Sequence, residues 1–249
     1  MSWSFVALAL AITLLAGFVK GAVGFAMPMI MISGLGSFMP PALALAALIL
    51  PTLACNTWQA MRQGPGAAAA SASAHRVYLA ILLVFILITA QFVTALPTWL
   101  LLLILGAPVT LFAILQLIGW RPRLHAGNRR AAEVGIGAFS GAIGGLSGVW
   151  GPPTVLYLTA LDTPKVEQVR VQGVIYGLGA VMLTLAHMRS GILNRETVEL
   201  SLILTGPALI GMWLGFLVQD RLDQDRFRKI TLIVLVVAGL NLIRRAVIA

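Results

Sequence analysis

Residues 21–61 read GAVGFAMPMIMISGLGSFMPPALALAALILPTLACNTWQAM, without one Asp, Glu, Lys or Arg. A bilayer core about 30 Å thick needs roughly 20 apolar residues per helix, so this tract is long enough for two crossings. Four more uncharged tracts follow at 77–120, 134–161, 171–188 and 200–219. Lipid offers the backbone no hydrogen-bond partner, so a spanning chain is helical or a closed barrel. These runs are continuous rather than alternating, which selects helices. The whole composition agrees: 59% of the 249 residues are hydrophobic, 10% are charged and the mean hydropathy is +0.97. The chain therefore reads as an all-α integral membrane protein with the lipid bilayer as its solvent.

The net charge of +9 belongs with cytoplasmic loops and anionic lipid and does not imply nucleic acid. Cys55 is the single cysteine, so no disulfide framework or thiolate metal cluster is expected. No cofactor or metal is implied, and a homo-oligomer is compatible with the sequence. The start, MSWSFVALALAITLLAGFVKG, lacks a basic n-region and is expected to be retained.

The uncharged tracts are internally repeated. Gly17, Gly21, Ala22 and Gly24 recur 120 positions later as Gly137, Gly141, Ala142 and Gly144. Each copy then meets proline, at Pro28 and at Pro152 and Pro153. Met61-Arg62-Gln63-Gly64 is echoed by Met188-Arg189-Ser190-Gly191. Two plain apolar helices close each half, near 77–95 and 98–119 and near 199–218 and 229–246. Residues 1–120 thus form a first membrane repeat and 133–249 a second, joined by a basic cytoplasmic linker at 121–132.

Residues 4–38 and 133–161 are each too long for one span and too short for two. Glycines followed by proline interrupt both, and proline cannot continue a helix without losing a hydrogen bond. Each is read as a broken helix or a re-entrant hairpin, leaving three transmembrane helices per half. If both tracts return to their own side, loop Lys and Arg divide twelve to four; eight simple spans give ten to six. The positive-inside rule favours the sharper split. It places loops at 61–76, 120–132, 162–170 and 219–229 inside, with Arg62, Arg76, Arg121, Arg123, Arg129, Arg130, Lys165, Arg170, Arg221, Arg226, Arg228 and Lys229. Both termini then lie outside, and the odd number of crossings makes the halves inverted repeats, a recurrent transporter plan.

GFVKGAVGFAMP at 17–28, GAFSGAIGGLSGVWGPP at 137–153 and the closing GMWLGFLVQDRLDQDRFRKITLIVLVVAGLNLI together resemble the TauE/SafE sulfite exporters, also called toluene sulfonate uptake permeases. The likeness covers nearly the whole chain, although GGLSGVWG is less glycine-dense than the usual pattern. It implies a multi-pass inner-membrane exporter of small anions such as sulfite, organosulfonates or related carboxylates, without enzymatic activity.

The residues point independently to an anion site at the midplane, between the two Gly/Pro-rich broken helices. Pro28 and Pro152 stand where a half-helix would begin, and helix starts present unpaired N–H groups and a positive dipole end. Glycines such as Gly21, Gly24, Gly144 and Gly148 permit close backbone approach, although small residues also serve helix packing in lipid. Lys20 is the single basic residue inside an otherwise apolar tract. Intramembrane charge is costly and usually functional, against the alternative of snorkelling to the headgroups.

Thr52, Asn56, Gln59, Gln91, Gln116, Ser140, Gln172, Tyr176 and His187 are further polar residues at membrane depth. Asn56 and Gln172 each follow their half's Gly-rich tract and join Lys20 and Ser140 as substrate-binding candidates. Trp3, Trp99, Trp120 and Trp213 read as interface anchors. All eight acids fall in or beside expected loops, which disfavours carboxylate-based coupling.

A rival reading is an intramembrane serine protease of the rhomboid type. Gly145-Leu146-Ser147-Gly148 matches its GxSG, and Ala186-His187 followed by Gly191 approaches its AHxxG. The His-to-Gly spacing is one residue too long, and the glycines around Ser147 already belong to the repeat.

Overall fold

The opening tract, read as interrupted, is two helices with a sharp break. In the computed structural model, which describes residues 3–89, 97–120, 128–147, 150–189 and 191–248, α1 (Trp3–Val23) gives way to α2 (Met27–Leu35) through three residues. Gly24 at the break has φ +89°, and Ala26, the N-cap of α2, has φ 74° with no side-chain cap. Both are in the left-handed region, which glycine enters freely and alanine at a cost of about 1–2 kcal/mol. Pro28 occupies the first turn of α2, where its missing N–H removes nothing from the helix.

The second tract repeats the plan, with α7 (Arg129–Ser147) followed by α8 (Gly151–Ala160) and two prolines in the first turn of α8. The remaining helices are α3 (Pro41–Met61), α4 (Pro65–Ala74), α5 (Arg76–Thr89), α6 (Thr98–Leu117), α9 (Lys165–Arg189), α10 (Arg195–Arg221) and α11 (Gln224–Ile248). Among the described residues there is no strand.

Among the described residues five helices are long and apolar enough to cross a membrane: α1, α3, α9, α10 and α11; the pair α4–α5, bent by 78°, would be a sixth. Two expectations are corrected here. Residues 61–76, read as a loop, hold α4, because Pro65 opens a run whose alanines are the strongest helix formers. The loop at 219–229 shrinks to Leu222 and Asp223, since α10 and α11 run on through their charged ends. Residues 121–127 of the linker lie outside the described residues.

The helices gather into two compact units, each drawing on both halves of the sequence. Unit 1 comprises Met1–Ala68 with Val169–Leu222 and contains α1, α2, α3, α10 and most of α9. In it, α10 packs on α1 and α3, and α2 packs on both α1 and α3. The seam between α1 and α10 is made of glycine. A Cβ at Gly17 would meet the carbonyl oxygen of Ala208, at Gly21 that of Met212, at Gly211 that of Leu14 and at Gly215 that of Phe18. Backbones touch there because no side chain intervenes, the usual way helices associate in lipid. Further along, Pro51 has no N–H for the carbonyl of Ala47, and Ser201 of α10 donates to that oxygen instead (3.3 Å).

Unit 2 comprises Ala69–Gln168 with Asp223–Ala249; α5 packs on α7, and α6 on α11. Its first seam repeats the glycine device. A Cβ at Gly137 would meet the carbonyl oxygen of Tyr78, and at Gly141 that of Leu82. Apolar side chains such as Val84, Leu87, Ile203, Trp213 and Val237 are left exposed on the helices, as lipid-facing residues are. Trp99 and Trp120 are also exposed, while the side chain of Trp3 lies outside the described residues.

Candidate functional site

Lys20 sits in the last turn of α1, four residues before the break, and is 2% exposed. A buried ammonium without a partner is untenable, so its partners define the site. Nζ donates to Asn56 Oδ1 on α3 at 2.6 Å and, at the limit of bonding, to the carbonyl of Gly24 at 3.5 Å. The Tyr176 ring of α9 has its centroid 5.7 Å from Nζ, within cation–π range. Among the described residues no carboxylate pairs with Lys20. Its charge is met by an amide oxygen, a carbonyl and a ring face.

Asn56 is held in turn, its Nδ2 donating to the carbonyl of Tyr176 at 3.3 Å. One helical turn on, Gln59 Nε2 donates to Gly24 O (3.0 Å) and Val169 O (2.7 Å). Two carbonyl acceptors fix which end of that carboxamide is nitrogen, and Gln59 Oε1 is then buried with no hydrogen-bond partner. Gln172 on α9 is fully buried, and neither Oε1 nor Nε2 is hydrogen-bonded. Its Oε1 lies against Gly24, where a Cβ would be. Thr52, one turn before Asn56, also has a buried, unpartnered hydroxyl. Each such group costs about 1–3 kcal/mol if nothing binds it. Lys20, a free carboxamide, a free amide oxygen and the uncapped start of α2 thus converge on one break.

Of the residues expected to bind substrate, Lys20, Gly24, Asn56 and Gln172 come together in unit 1. Gly21 faces the carbonyl of Met212 on α10. Pro28 opens α2 and is partly exposed. Ser140, Gly144 and Pro152 belong to unit 2. Ser140 Oγ accepts from the Tyr78 hydroxyl at 3.0 Å, Gly144 lies against the Trp150 ring, and Pro152 is buried in the first turn of α8. Gly148 lies outside the described residues, as does Gln91.

Unit 2 has its own polar centre, in which Tyr78, Tyr157 and Glu133 are paired, although His75 Nδ1 beside Tyr157, and Gln168 Nε2 and Thr231 Oγ1 elsewhere in the unit, are buried without a hydrogen bond. Tyr78 OH is 3.0 Å from Ser140 Oγ and 2.8 Å from Thr154 Oγ1, and its ring stacks on Tyr157 with centroids 4.8 Å apart. Tyr157 OH donates to Glu133 Oε1 at 3.1 Å, and Arg129 Nε donates to the same oxygen at 3.0 Å. Glu133, read from sequence as lying beside a loop, is one turn inside α7 and 6% exposed. Ser147 closes α7 with its side chain outside the described residues, and His187 lies near the end of α9 in unit 1.

Sequence reasoning passed over Gln59 and Tyr176 as site residues. The usable signal was helical spacing: Gln59 is three residues after Asn56, and Tyr176 four after Gln172, so each shares its partner's face. Among the described residues no cluster of His, Cys, Asp or Glu could hold a metal ion.

Comparison with curated proteins and with solved structures gave no match. The family model for the sulfite exporter TauE/SafE does match, over residues 9–242. That span takes in both broken helices, the Lys20 cluster and nearly all of both units. Members of this family are transporters rather than enzymes, which sets aside the serine-protease reading of Ser147 and His187. This helical, multi-pass chain belongs to the sulfite exporter TauE/SafE family of membrane transporters.

Proposed function

We propose that the protein exports small anions such as sulfite, organosulfonates or related carboxylates across the inner membrane, with Lys20 as the electrostatic centre of the substrate site. The observation that carries this is the burial of Lys20 among partners that, in the described residues, are all neutral. A lysine at the bilayer midplane costs about 2.5–3.5 kcal/mol on insertion scales. An anion about 4 Å away returns roughly 4 kcal/mol at an effective dielectric near 20. The two nearly cancel, so substrate completes a site that is marginal without it. One ammonium suits one negative charge, and Gln172 Nε2 is free to donate a hydrogen bond to the oxygens of the solute. Ser140, Gly144, Gly148 and Pro152 are proposed as substrate residues from the duplicated sequence.

Expelling a negative charge from a negative interior gains about 2.3 kcal/mol per 100 mV, so export needs no coupling ion. The deciding measurement is flux in proteoliposomes under an imposed potential, with sulfite, sulfate, methanesulfonate and acetate in turn. Lys20→Met should insert and fold with unchanged or higher thermal stability yet lose transport on the order of 100-fold or more, the scale of a lost charge contact. Lys20→Arg should keep part of it, since charge survives while shape changes. Normal flux in Lys20→Met would end the assignment of Lys20.

The halves 1–120 and 133–249 are proposed as inverted repeats with both termini outside. The twelve-to-four charge split supports this, as does the shared glycine packing of α1 and α7. Labelling of single cysteines at Ser2 and Ala249, with Cys55 replaced, should reach both termini from outside intact cells. Protection of either would refute the arrangement.

A further inference from the structure

We propose that the cavity at the first turns of α5 and α7 in unit 2 binds the phosphate headgroup of an anionic phospholipid. The cavity measures about 620 Å³ and is lined by Ser73, Arg76, Arg129, Arg130 and Glu133 among others. Three guanidinium groups face one carboxylate. That carboxylate is already engaged, since Glu133 Oε1 accepts from both Arg129 and Tyr157. Arg129 also donates to the carbonyl of Ala74 at 3.3 Å, which fixes its place on the rim. Arg76 and Arg130 are exposed and have no carboxylate partner among the described residues. The cavity therefore keeps two positive charges in the planar, forked form that suits phosphate oxygens.

Its position selects lipid over a free anion. Both helices run from these arginines into apolar sequence, and the exposed side chains beyond them are Val84, Leu87 and Ile88 on α5 and Val134 on α7. A charged mouth followed by an apolar wall matches a headgroup with its acyl chains. All three arginines also belong to the side that the loop charges assign to the cytoplasm, where anionic lipid gives the leaflet its negative potential.

The test is native mass spectrometry of the full chain in detergent, with phosphatidylglycerol and phosphatidylcholine supplied at equal concentration. Phosphatidylglycerol adducts should exceed phosphatidylcholine adducts about thirtyfold, the scale expected for two guanidinium groups near a lipid surface. The Arg76→Gln/Arg130→Gln double variant should fall to near parity. Arg244→Gln/Arg245→Gln, which removes two arginines elsewhere, should keep the preference. Equal adducts on the parent protein overturn the proposal without reference to any variant, so a folding failure in the double variant leaves it open to refutation. Displacement of phosphatidylglycerol by excess inorganic phosphate or sulfite would also overturn it, showing a free-anion site instead. Lys20 is untouched in every arm, so the outcome is separate from that of the transport assay.

Discussion

Unit 1 and unit 2 are built on the same device and differ in the charged groups beside it. In each, the first helix of a broken pair packs by two glycines, four residues apart, onto the backbone of a neighbour: Gly17 and Gly21 on α10, Gly137 and Gly141 on α5. In each, a second short helix begins with proline. The polar groups beside these breaks differ. Unit 2 pairs Tyr78 with Ser140 and Thr154, and pairs Glu133 with Tyr157 and Arg129. Among the described residues, unit 1 leaves Lys20 without a counter-charge and Gln172 without a side-chain hydrogen bond. A paired network stabilises a structure, whereas unpartnered groups next to a buried charge are the features on which the proposed substrate site rests. Unpartnered buried groups occur in both units, at His75, Gln168 and Thr231 in unit 2, so what sets the candidate site in unit 1 apart is the buried ammonium of Lys20 beside them.

If the glycine seams are equivalent, Gly21→Leu and Gly141→Leu should fail alike. Each would place side-chain atoms where a neighbour's carbonyl oxygen stands, with a cost at or above about 3 kcal/mol, the upper end of ordinary overpacking. Gly206, which has nothing within 4 Å of a built Cβ, should accept alanine without loss. The yield of monodisperse protein on size exclusion checks all three. Survival of Gly21→Leu with loss of Gly141→Leu would break the parallel between α1 and α7.

The chemical contrast predicts a smaller effect in unit 2. Tyr157→Phe removes the hydroxyl that donates to buried Glu133, a charge-assisted bond worth about 1.5–3 kcal/mol. Unfolding by denaturant should show a loss in that range. Tyr157 stacks on Tyr78, and phenylalanine keeps that stack, so the loss reports the hydroxyl alone. No measurable change would mean that Arg129 suffices for Glu133, and the network in unit 2 would be less tightly satisfied than its geometry states.

Much of this was legible from residue type and spacing. Gly24 followed by Pro28, and Gly144 followed by Pro152, announced two broken helices, and breaks fall at 24–26 and just before Gly151. The isolation of Lys20 in apolar sequence announced its burial. What spacing could not give was the partition of helices into units. That α1 packs on α10, from the other half, as well as on α2 depends on Gly17, Gly21, Gly211 and Gly215 meeting across nearly 200 residues. Glycines on separate helices carry no mark of which will meet. Nor could sequence separate Gln59, which caps two carbonyls, from Gln172, which caps none. Both are glutamines in apolar helices, and the difference lies in which neighbouring carbonyls are exposed by the break. The helix α4 was missed because a loop was assumed wherever apolar sequence paused, although alanine alone sustains a helix.

The smallest expected effect tests whether the break in unit 1 carries strain that its counterpart lacks. Ala26, the N-cap of α2, has φ 74°, a left-handed conformation that costs an L-residue about 1–2 kcal/mol. Trp150, the N-cap of α8, has φ −112° and pays nothing comparable. Ala26→Gly should relieve the strain, but glycine also gains freedom in the unfolded chain, returning about 0.4–1 kcal/mol. The net gain should be near 0.5 kcal/mol, a small rise in melting temperature with transport unaltered. Gly24→Ala should act in the opposite sense and further, because Gly24 shares the left-handed region at φ +89° and the Oε1 of Gln172 stands where its Cβ would go. That variant should lose about 1–2 kcal/mol from the backbone alone and, by displacing Gln172, should weaken anion binding as well. Thermal unfolding of both variants with and without sulfite separates the terms. A stability gain for Ala26→Gly with unchanged sulfite response places the strain in the scaffold. Loss of the sulfite response in Ala26→Gly would instead mean that the strained cap itself holds the site in its binding geometry.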